Sequence, residues 1–330
     1  MGQHTLEQAY AYCETVCRNA STTFYSSFSA LQPDKRRAVH AVYALCRWVD
    51  DIVDGDEEPT ILETLELRQA TDERQRIVDD IHAGASPSLS LDEHRRRMMA
   101  LVDIRLKVQQ ASEQRIASHD HPIFIALQDV FERYPIKLND FETVIEGMED
   151  DLYPVRNQTW DELRSYCYKV ASAVGLILIE IYGYEDRAAR LHAIDLGIQM
   201  QLINVLRDIN EDMERGRIYL PMDILASHNI TTEMLRSGKV ANTLAWKGFI
   251  VEYVEVIKRH QSSANLLFGY LDGRARVQPE IMVDAYTSIL NEIVRRSGDV
   301  FTQPVRLSKL RKIMLGVRLS MRKLRARMFA

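Results

Sequence analysis

The chain has 330 residues, 46% of them apolar, with 42 Lys/Arg against 47 Asp/Glu for a net charge of −5. That length admits one large domain or two, and that apolar share is ample for a buried core. The charge is uneven: from Arg306 onward there are nine Lys/Arg and no Asp/Glu, leaving 33 basic against 47 acidic residues elsewhere. An acidic body with a basic tail argues against a nucleic-acid binder, whose positive charge should line a groove or patch.

Long runs rich in Ala, Leu, Glu, Arg, Met and Gln, with few Gly or Pro and no sustained period-two alternation, predict an all-α chain. The first helix is expected over 5–18. A Ser/Thr-rich stretch at 19–29 follows, interrupted by Phe24, Tyr25 and Phe28. Asp34 reads as an N-cap after Pro33 for a helix running to about Asp54, where Gly55 and an acidic turn end it. A polar helix then gives way at 83–88, the most loop-like segment. A highly charged helix is expected over 91–117, with a break at 119–122. Further helices are expected at 122–134, 138–151, 159–183, 186–214, 231–236, 240–272, 278–297 and 306–328. Gly183, Gly216 and Pro221 read as stops, whereas the lone Gly197 reads as a point of close helix packing.

The N-terminus lacks the apolar stretch of a signal peptide, and no uninterrupted apolar run of membrane-spanning length occurs. The expected location is the cytoplasm, with a peripheral membrane position as the alternative. Cys13, Cys17, Cys46 and Cys167 fit reduced thiols. Cys13 and Cys17, one helical turn apart, read as small core residues, since no second Cys/His pair has ligand spacing.

Two acidic clusters carry the chemistry. Asp50-Asp51-Ile52-Val53-Asp54 and Asp208-Ile209-Asn210-Glu211-Asp212 each place two aspartates four apart within a helix-compatible run. Such a pair presents two carboxylates on one helix face. Like charges about 5 Å apart repel by about 3 kcal/mol at an effective dielectric near 20, so cations are expected to neutralise them. Oxygen-only ligands point to Mg²⁺, with Mn²⁺ as a substitute. Tyr43 and Arg47 fall on the face of the first pair, and Gln201 and Asn204 on that of the second, with Arg207 flanking; Asp51 points elsewhere. Negative and positive residues on one face suit Mg²⁺-diphosphate, because Arg offers a rigid fork of donors to phosphate oxygens. A di-iron bundle would need Glu-x-x-His, which the chain does not contain.

The string Tyr43-Ala-Leu-Cys-Arg47-x-x-Asp50-Asp51-x-x-Asp54 resembles the first signature of the squalene/phytoene synthases. Gln201-Leu-Ile-Asn204-x-x-Arg207-Asp208-x-x-x-Asp212-x-x-x-Gly216-Arg217-x-Tyr219-Leu220-Pro221 resembles the second. Between them, Glu146-Gly147-Met148-x-x-Asp151-Leu152 and Tyr166-Cys167-Tyr168-x-Val170-Ala171-x-x-Val174-Gly175 are similar to further family stretches. The resemblance covers residues 15 to about 310 in order. It implies an all-α isoprenoid-synthase fold, a single helical domain around a central cavity over 1–305, followed by a basic amphipathic helix at 306–330. Residues 60–118 are longer than in typical members and read as containing an insertion.

The resemblance further implies head-to-head (1′-1) coupling of two prenyl diphosphates, C20 or C15, through a cyclopropylcarbinyl diphosphate. Asp50, Asp54, Asn204, Asp208 and Asp212 would hold Mg²⁺ between two facing helices. Ser21, Thr23, Phe24, Tyr43, Arg47 and Arg217 would surround the diphosphates, Thr23 standing where many relatives have Ser. Tyr168, Gln201 and Tyr286 would line the reaction cavity, Tyr168 and Phe24 being the aromatic candidates for cation stabilisation. The motif wording favours two geranylgeranyl diphosphates going to phytoene, without NADPH. The alternative is farnesyl diphosphate going to dehydrosqualene, squalene or presqualene diphosphate. A non-catalytic scaffold relative should have eroded acidic motifs, and a terpene cyclase or chain-elongating enzyme lacks Gly-Arg-x-Tyr-Leu-Pro.

In the tail, Leu310, Ile313, Met314, Val317, Met321, Leu324 and Met328 form a helical apolar stripe with Arg and Lys on other faces. Two readings stand: a last helix packed on the body with a solvated basic side, or an amphipathic helix on anionic membrane.

Overall fold

The computed structural model describes residues 3–20, 22–55, 91–153 and 157–328. These form an all-α structure in which no strand occurs; the only bridge among them pairs Tyr184 with Leu271. They group into two compact units, 1–26 with 33–154 and 27–32 with 155–330.

In the first unit, α1 (Leu6–Ala20) packs on α3 (Pro33–Asp54), with α2 (Thr22–Phe28) between them in sequence. The Ser/Thr-rich stretch is thus helical over most of its length. Pro33 itself begins α3, so Asp34 lies inside the first turn and is not the N-cap. Proline at the first helical position loses nothing, since its missing N–H would have no partner there. α3 buries Leu45, Trp48, Val49, Ile52 and Val53, each contributing roughly 1.5–3 kcal/mol of apolar burial. Gly55, at φ +83°, closes the helix by donating its N–H to Asp51 O.

Three more helices complete this unit: α4 (Leu91–Ser112), α5 (Pro122–Arg133) and α6 (Leu138–Asp150). His121 caps α5 by accepting from Ile123 N–H, and its ring stacks on Trp48 of α3 at 4.4 Å. Two ion pairs tie the charged α4 to its surroundings, Lys107–Asp120 at 2.7 Å and Arg105–Glu149 at 2.8 Å. Of the expected insertion, 91–118 is described and supplies α4; the remainder, with the polar helix and the loop at 83–88, lies outside the described residues. Cys13 and Cys17 are buried core residues as expected, and burial pushes the Cys13 thiol up to about 12.

The second unit is built around α9 (Ala189–Arg207). The run expected as one helix over 159–183 is α7 (Trp160–Cys167), a π turn (Tyr168–Ser172) and α8 (Ala173–Tyr182). Trp160–Tyr182 is long and apolar enough to cross a membrane, with mean hydropathy 1.2, but half of its most apolar stretch is buried inside the structure. The π turn packs on α9 where Gly197 admits it: a Cβ there would stand 2.5 Å from Ser172 Cα. Gly197 thus permits close packing, as its position in the run suggested.

The expected helix 186–214 breaks at Asp208 into α9 and α10 (Ile209–Glu214). Short helices α11 (Met222–Ser227) and α12 (Thr232–Arg236) follow, the former unanticipated. α13 (Leu244–Ala264) starts at the Thr243 N-cap and continues into a 3₁₀ turn (Asn265–Gly269). α14 (Val277–Arg295) and α15 (Lys309–Met328) end the chain. Tyr253 of α13 donates its buried hydroxyl to Leu202 O at 3.1 Å, anchoring α9. Tyr182 donates to Gln278 Oε1 at 2.7 Å, and Gln278 Nε2 donates to Ser27 Oγ at 3.1 Å, so this buried chain is internally satisfied.

Candidate active site

The sequence-predicted residues fall into two groups, one in each unit. In the first, α3 runs unbroken through Tyr43, Arg47, Asp50, Asp51 and Asp54, none of which is fully buried, while the residues between them form the core face. Asp50 and Asp54 therefore stand one helical turn apart, away from Val49, Ile52 and Val53. Arg47 spans the start of the cluster, donating to Asp50 Oδ2 at 3.2 Å and also to Asp51 Oδ1. Asp51 thus shares the cation expected for the diphosphate, a pairing that its angular offset from Asp50 and Asp54 did not suggest. Phe24 packs on Tyr43 with ring centroids 5.8 Å apart. Burial pushes the Tyr43 hydroxyl up to about 12, so it stays protonated and can act as a donor at neutral pH. Ser21 and the side chain of Thr23 lie outside the described residues.

Behind this face, α4 supplies a residue that the sequence reading missed. Arg97, nearly buried, donates to Val53 O at 2.8 Å, and its Nε donates to Glu93 Oε1, also at 2.8 Å. The guanidinium satisfies a carbonyl in the last turn of the aspartate helix, where a positive group also complements the helix dipole. Its only sequence signal is Glu93 four residues earlier, a spacing shared by many surface pairs.

In the second unit, α9 carries Gln201 and Asn204 on one face, with Arg207 flanking and Asp208 at its C-terminal cap. Asn204 Nδ2 donates to Gln201 Oε1 at 3.1 Å, which orients the amide. Asn204 Oδ1 is then buried without a hydrogen-bond partner. A buried carbonyl oxygen left unpaired is costly, and a cation would satisfy it. Arg207 forks onto Asp208, with Nε to Oδ1 at 2.6 Å. On α14, Tyr286 lies against Asn204 and Arg207; burial raises its hydroxyl while the Arg207 charge opposes the rise.

Asp208 is the residue at which α9 ends, with φ −103° and ψ 13°. The turn survives the break: Asp208 N–H donates to Asn204 O at 2.8 Å and Asp212 N–H to Asp208 O at 2.9 Å. Arg217 returns to the same place, its N–H donating to Asp212 O at 2.8 Å after Gly216 turns the chain at φ +80°. Asp212, Arg217 and Tyr219 line one small recess, and Tyr219 stacks on Tyr166 at 4.6 Å. Tyr168 starts the π turn and is half-buried. Such turns recur at functional sites, but neither composition nor periodicity marks this one.

The donor set is oxygen-rich and anionic, the chemistry of a hard divalent cation, and the unpaired Asn204 oxygen fits one. Arginines and tyrosines beside the carboxylates add donors for phosphate oxygens.

Residues 17–311 match the model of the squalene/phytoene synthase family. The chain is 31% identical over 315 residues to phytoene synthase 2, chloroplastic, of Solanum lycopersicum, covering 94% of this chain and 89% of that protein. It is also 31% identical to the chloroplastic phytoene synthase of Daucus carota, over 93% of this chain and 69% of that one. Among solved structures, a dehydrosqualene synthase superposes with a TM-score of 0.75 at 24% identity, covering 96% of each chain. The squalene synthase HpnC of Alicyclobacillus acidocaldarius gives 0.70 at 21% identity, over 88% of this chain and 95% of that one. The fold is the all-α isoprenoid-synthase fold that the motifs implied. The chain belongs to the squalene/phytoene synthase family of prenyltransferases, whose reaction is head-to-head condensation of prenyl diphosphates.

Proposed function

We propose that this protein joins two geranylgeranyl diphosphates head to head to give phytoene, with Mg²⁺ as the required metal and no nicotinamide. The observation that carries the reading is the intact pair of aspartate rows, each with its own arginine, in a chain similar to phytoene synthases along nearly its full length. Asp50 and Asp54 on α3, and Asn204, Asp208 and Asp212 on α9 and α10, would hold the metal. Bound there, Mg²⁺ supplies charge neutralisation for the diphosphate leaving group.

The protein's own groups do the rest. Arg47, Arg207 and Arg217 would donate to diphosphate oxygens as charge develops on them, an electrostatic contribution that is often the largest in catalysis. Departure of the first diphosphate leaves an allylic cation, which the 2,3-double bond of the second substrate attacks. Loss of a proton then closes the cyclopropane of the intermediate, which keeps its own diphosphate. Loss of that second diphosphate, rearrangement and loss of a further proton yield a linear hydrocarbon with a central double bond. Tyr168 and Phe24 are the aromatic walls for these cations, contributing about 0.5–2 kcal/mol each. Tyr43 and Tyr286, kept protonated by burial, serve as donors and not as bases.

A second reading has one specific support, the structural likeness to a dehydrosqualene synthase. In it two farnesyl diphosphates give a C30 product by the same steps. Incubation of the pure protein and Mg²⁺ with labelled C20 or C15 diphosphate, with and without NADPH, separates the two. Phytoene from the C20 substrate, unchanged by NADPH, is the expected result. A C30 hydrocarbon from C15 alone, or a requirement for NADPH, overturns it.

A further inference from the structure

α15 is held in one rotational setting on the second unit. Leu315 and Leu319, 8% and 9% exposed, face inward, and Leu319 packs with Val277, Ile281, Ala30 and Ala326. Arg322 reaches Glu280 at 3.3 Å and Asp284 at 3.1 Å, Arg318 reaches Asp284 at 3.4 Å, and Arg311 donates to Ser288 O at 2.7 Å. The arginines that the sequence would leave in solvent are therefore in part the contacts that hold the helix down.

The consequence appears on the opposite face. Leu310, Ile313, Met314, Val317, Met321 and Leu324 are 46–67% exposed and lie on one side of the helix. They make up half of the exposed large hydrophobic residues among those described, gathered on a single helix about 30 Å long. Isolated exposed apolar side chains need no explanation, but a contiguous patch marks an interaction surface. At 100° per residue, Arg318 and Arg325 border this stripe on one side, while Lys312 and Lys323 fall on the half of the helix that carries Leu315 and Leu319, Lys323 Nζ donating to Ser29 Oγ at 3.4 Å. No acidic residue occurs anywhere from Arg306 onward.

We infer that this face of α15 is a docking surface for an anionic phospholipid bilayer, the helix lying in the plane of the interface. An apolar stripe with arginines along one edge, on a helix that carries no acidic residue, matches that boundary: acyl chains take the stripe, and lipid phosphates take the cations. Self-association fits less well, because two copies meeting through this face bring two basic borders together. The double fixation, by Leu315 and Leu319 below and by the arginine contacts along one side, keeps the stripe pointing outward.

The test is co-sedimentation of the full chain with vesicles of phosphatidylcholine alone or mixed with phosphatidylglycerol. The comparison variant is Ile313→Ser/Val317→Ser/Met321→Ser, which leaves the inward face intact. The expected result is binding to the anionic vesicles at least tenfold stronger than to neutral ones. The triple variant is expected to lose at least tenfold in binding with its thermal transition unchanged. A second variant, Arg325→Gln, is expected to weaken anionic binding several-fold while leaving the stripe in place. Equal partition of wild type and triple variant overturns the inference, as does equal binding to both vesicle types. A wild-type dimer that the triple variant converts to monomer, without vesicle binding, assigns the face to a second copy and also overturns it.

Discussion

Gly197 and Ser172 touch backbone to backbone: a Cβ on Gly197 would lie 2.5 Å from Ser172 Cα and 2.6 Å from its nitrogen. The contact seats the π turn beginning at Tyr168 against the helix carrying Asn204 and Asp208. Ser172 Oγ reinforces it by donating to Ile194 O at 2.7 Å. Because the clash would be with backbone, no rotamer change relieves it. Gly197→Ala is expected to destabilise the fold by about 1–3 kcal/mol. Thermal unfolding should show a fall of several degrees, and turnover should drop further than the unfolded fraction explains, since Tyr168 shifts with the turn. An alanine variant with wild-type melting and wild-type turnover would remove the contact's importance.

Arg97 should matter to the first aspartate row without touching substrate. Its bond to Val53 O, braced by Glu93, finishes the helix end at which Asp54 stands. Arg97→Met keeps the bulk and removes the donors. The expected cost is about 1.5–3 kcal/mol for a buried charged hydrogen bond. Chemical denaturation measures it, and a midpoint equal to that of wild type would refute the assignment.

The metal-binding proposal predicts an ordered set of losses. Asp208→Asn removes one carboxylate charge yet can keep hydrogen bonding with Arg207, so folding is expected to survive while turnover falls by orders of magnitude. Asp50→Asn should behave alike. Asn204→Leu removes the unpaired buried oxygen altogether; thermal stability is expected to hold or rise without metal, while Mg²⁺-induced stabilisation of the protein shrinks. Wild-type activity of either aspartate variant under limiting Mg²⁺ would defeat the proposal.

His40 gives a pH dependence of known sign. Burial lowers its pKa from 6.5 to about 4, and the ring lies over Tyr25 at 5.7 Å. The native state therefore binds fewer protons than the unfolded chain between those values, and stability falls as pH drops from about 6.5 toward about 4. His40→Gln is expected to flatten that part of the stability-pH curve. Melting temperatures recorded from pH 7 to pH 4 test it, and parallel curves for the two proteins would count against His40.

Much of the chemistry was legible in the linear chain. Asp50 and Asp54, and Asn204 and Asp208, are neighbours through helical spacing alone, so their identity and interval suffice to pair them. The same holds for Gly197, a small residue within an otherwise strong helix former. The π turn at Tyr168 and the end of α9 at Asp208 were not legible, because the flanking residues favour an unbroken helix and only packing against neighbouring helices displaces the backbone. Arg97 stayed hidden for a related reason. Its partner, the Val53 carbonyl, is a backbone atom 44 residues away in the chain, and no side-chain pattern records it.

The amino-acid order by itself determined the helical class, the two acid rows and the charge of the tail, since all three depend on local composition and on a period of 3.6 residues. Only the tertiary structure decided which carboxylates hold arginines, which amide oxygen is left unpaired, and which side of the last helix meets solvent. Those depend on what surrounds each side chain. In α15 two leucines and three arginines outweigh a longer apolar stripe, because Leu315 and Leu319 find a packed partner and Arg311, Arg318 and Arg322 find acceptors on α14. The stripe is left facing outward.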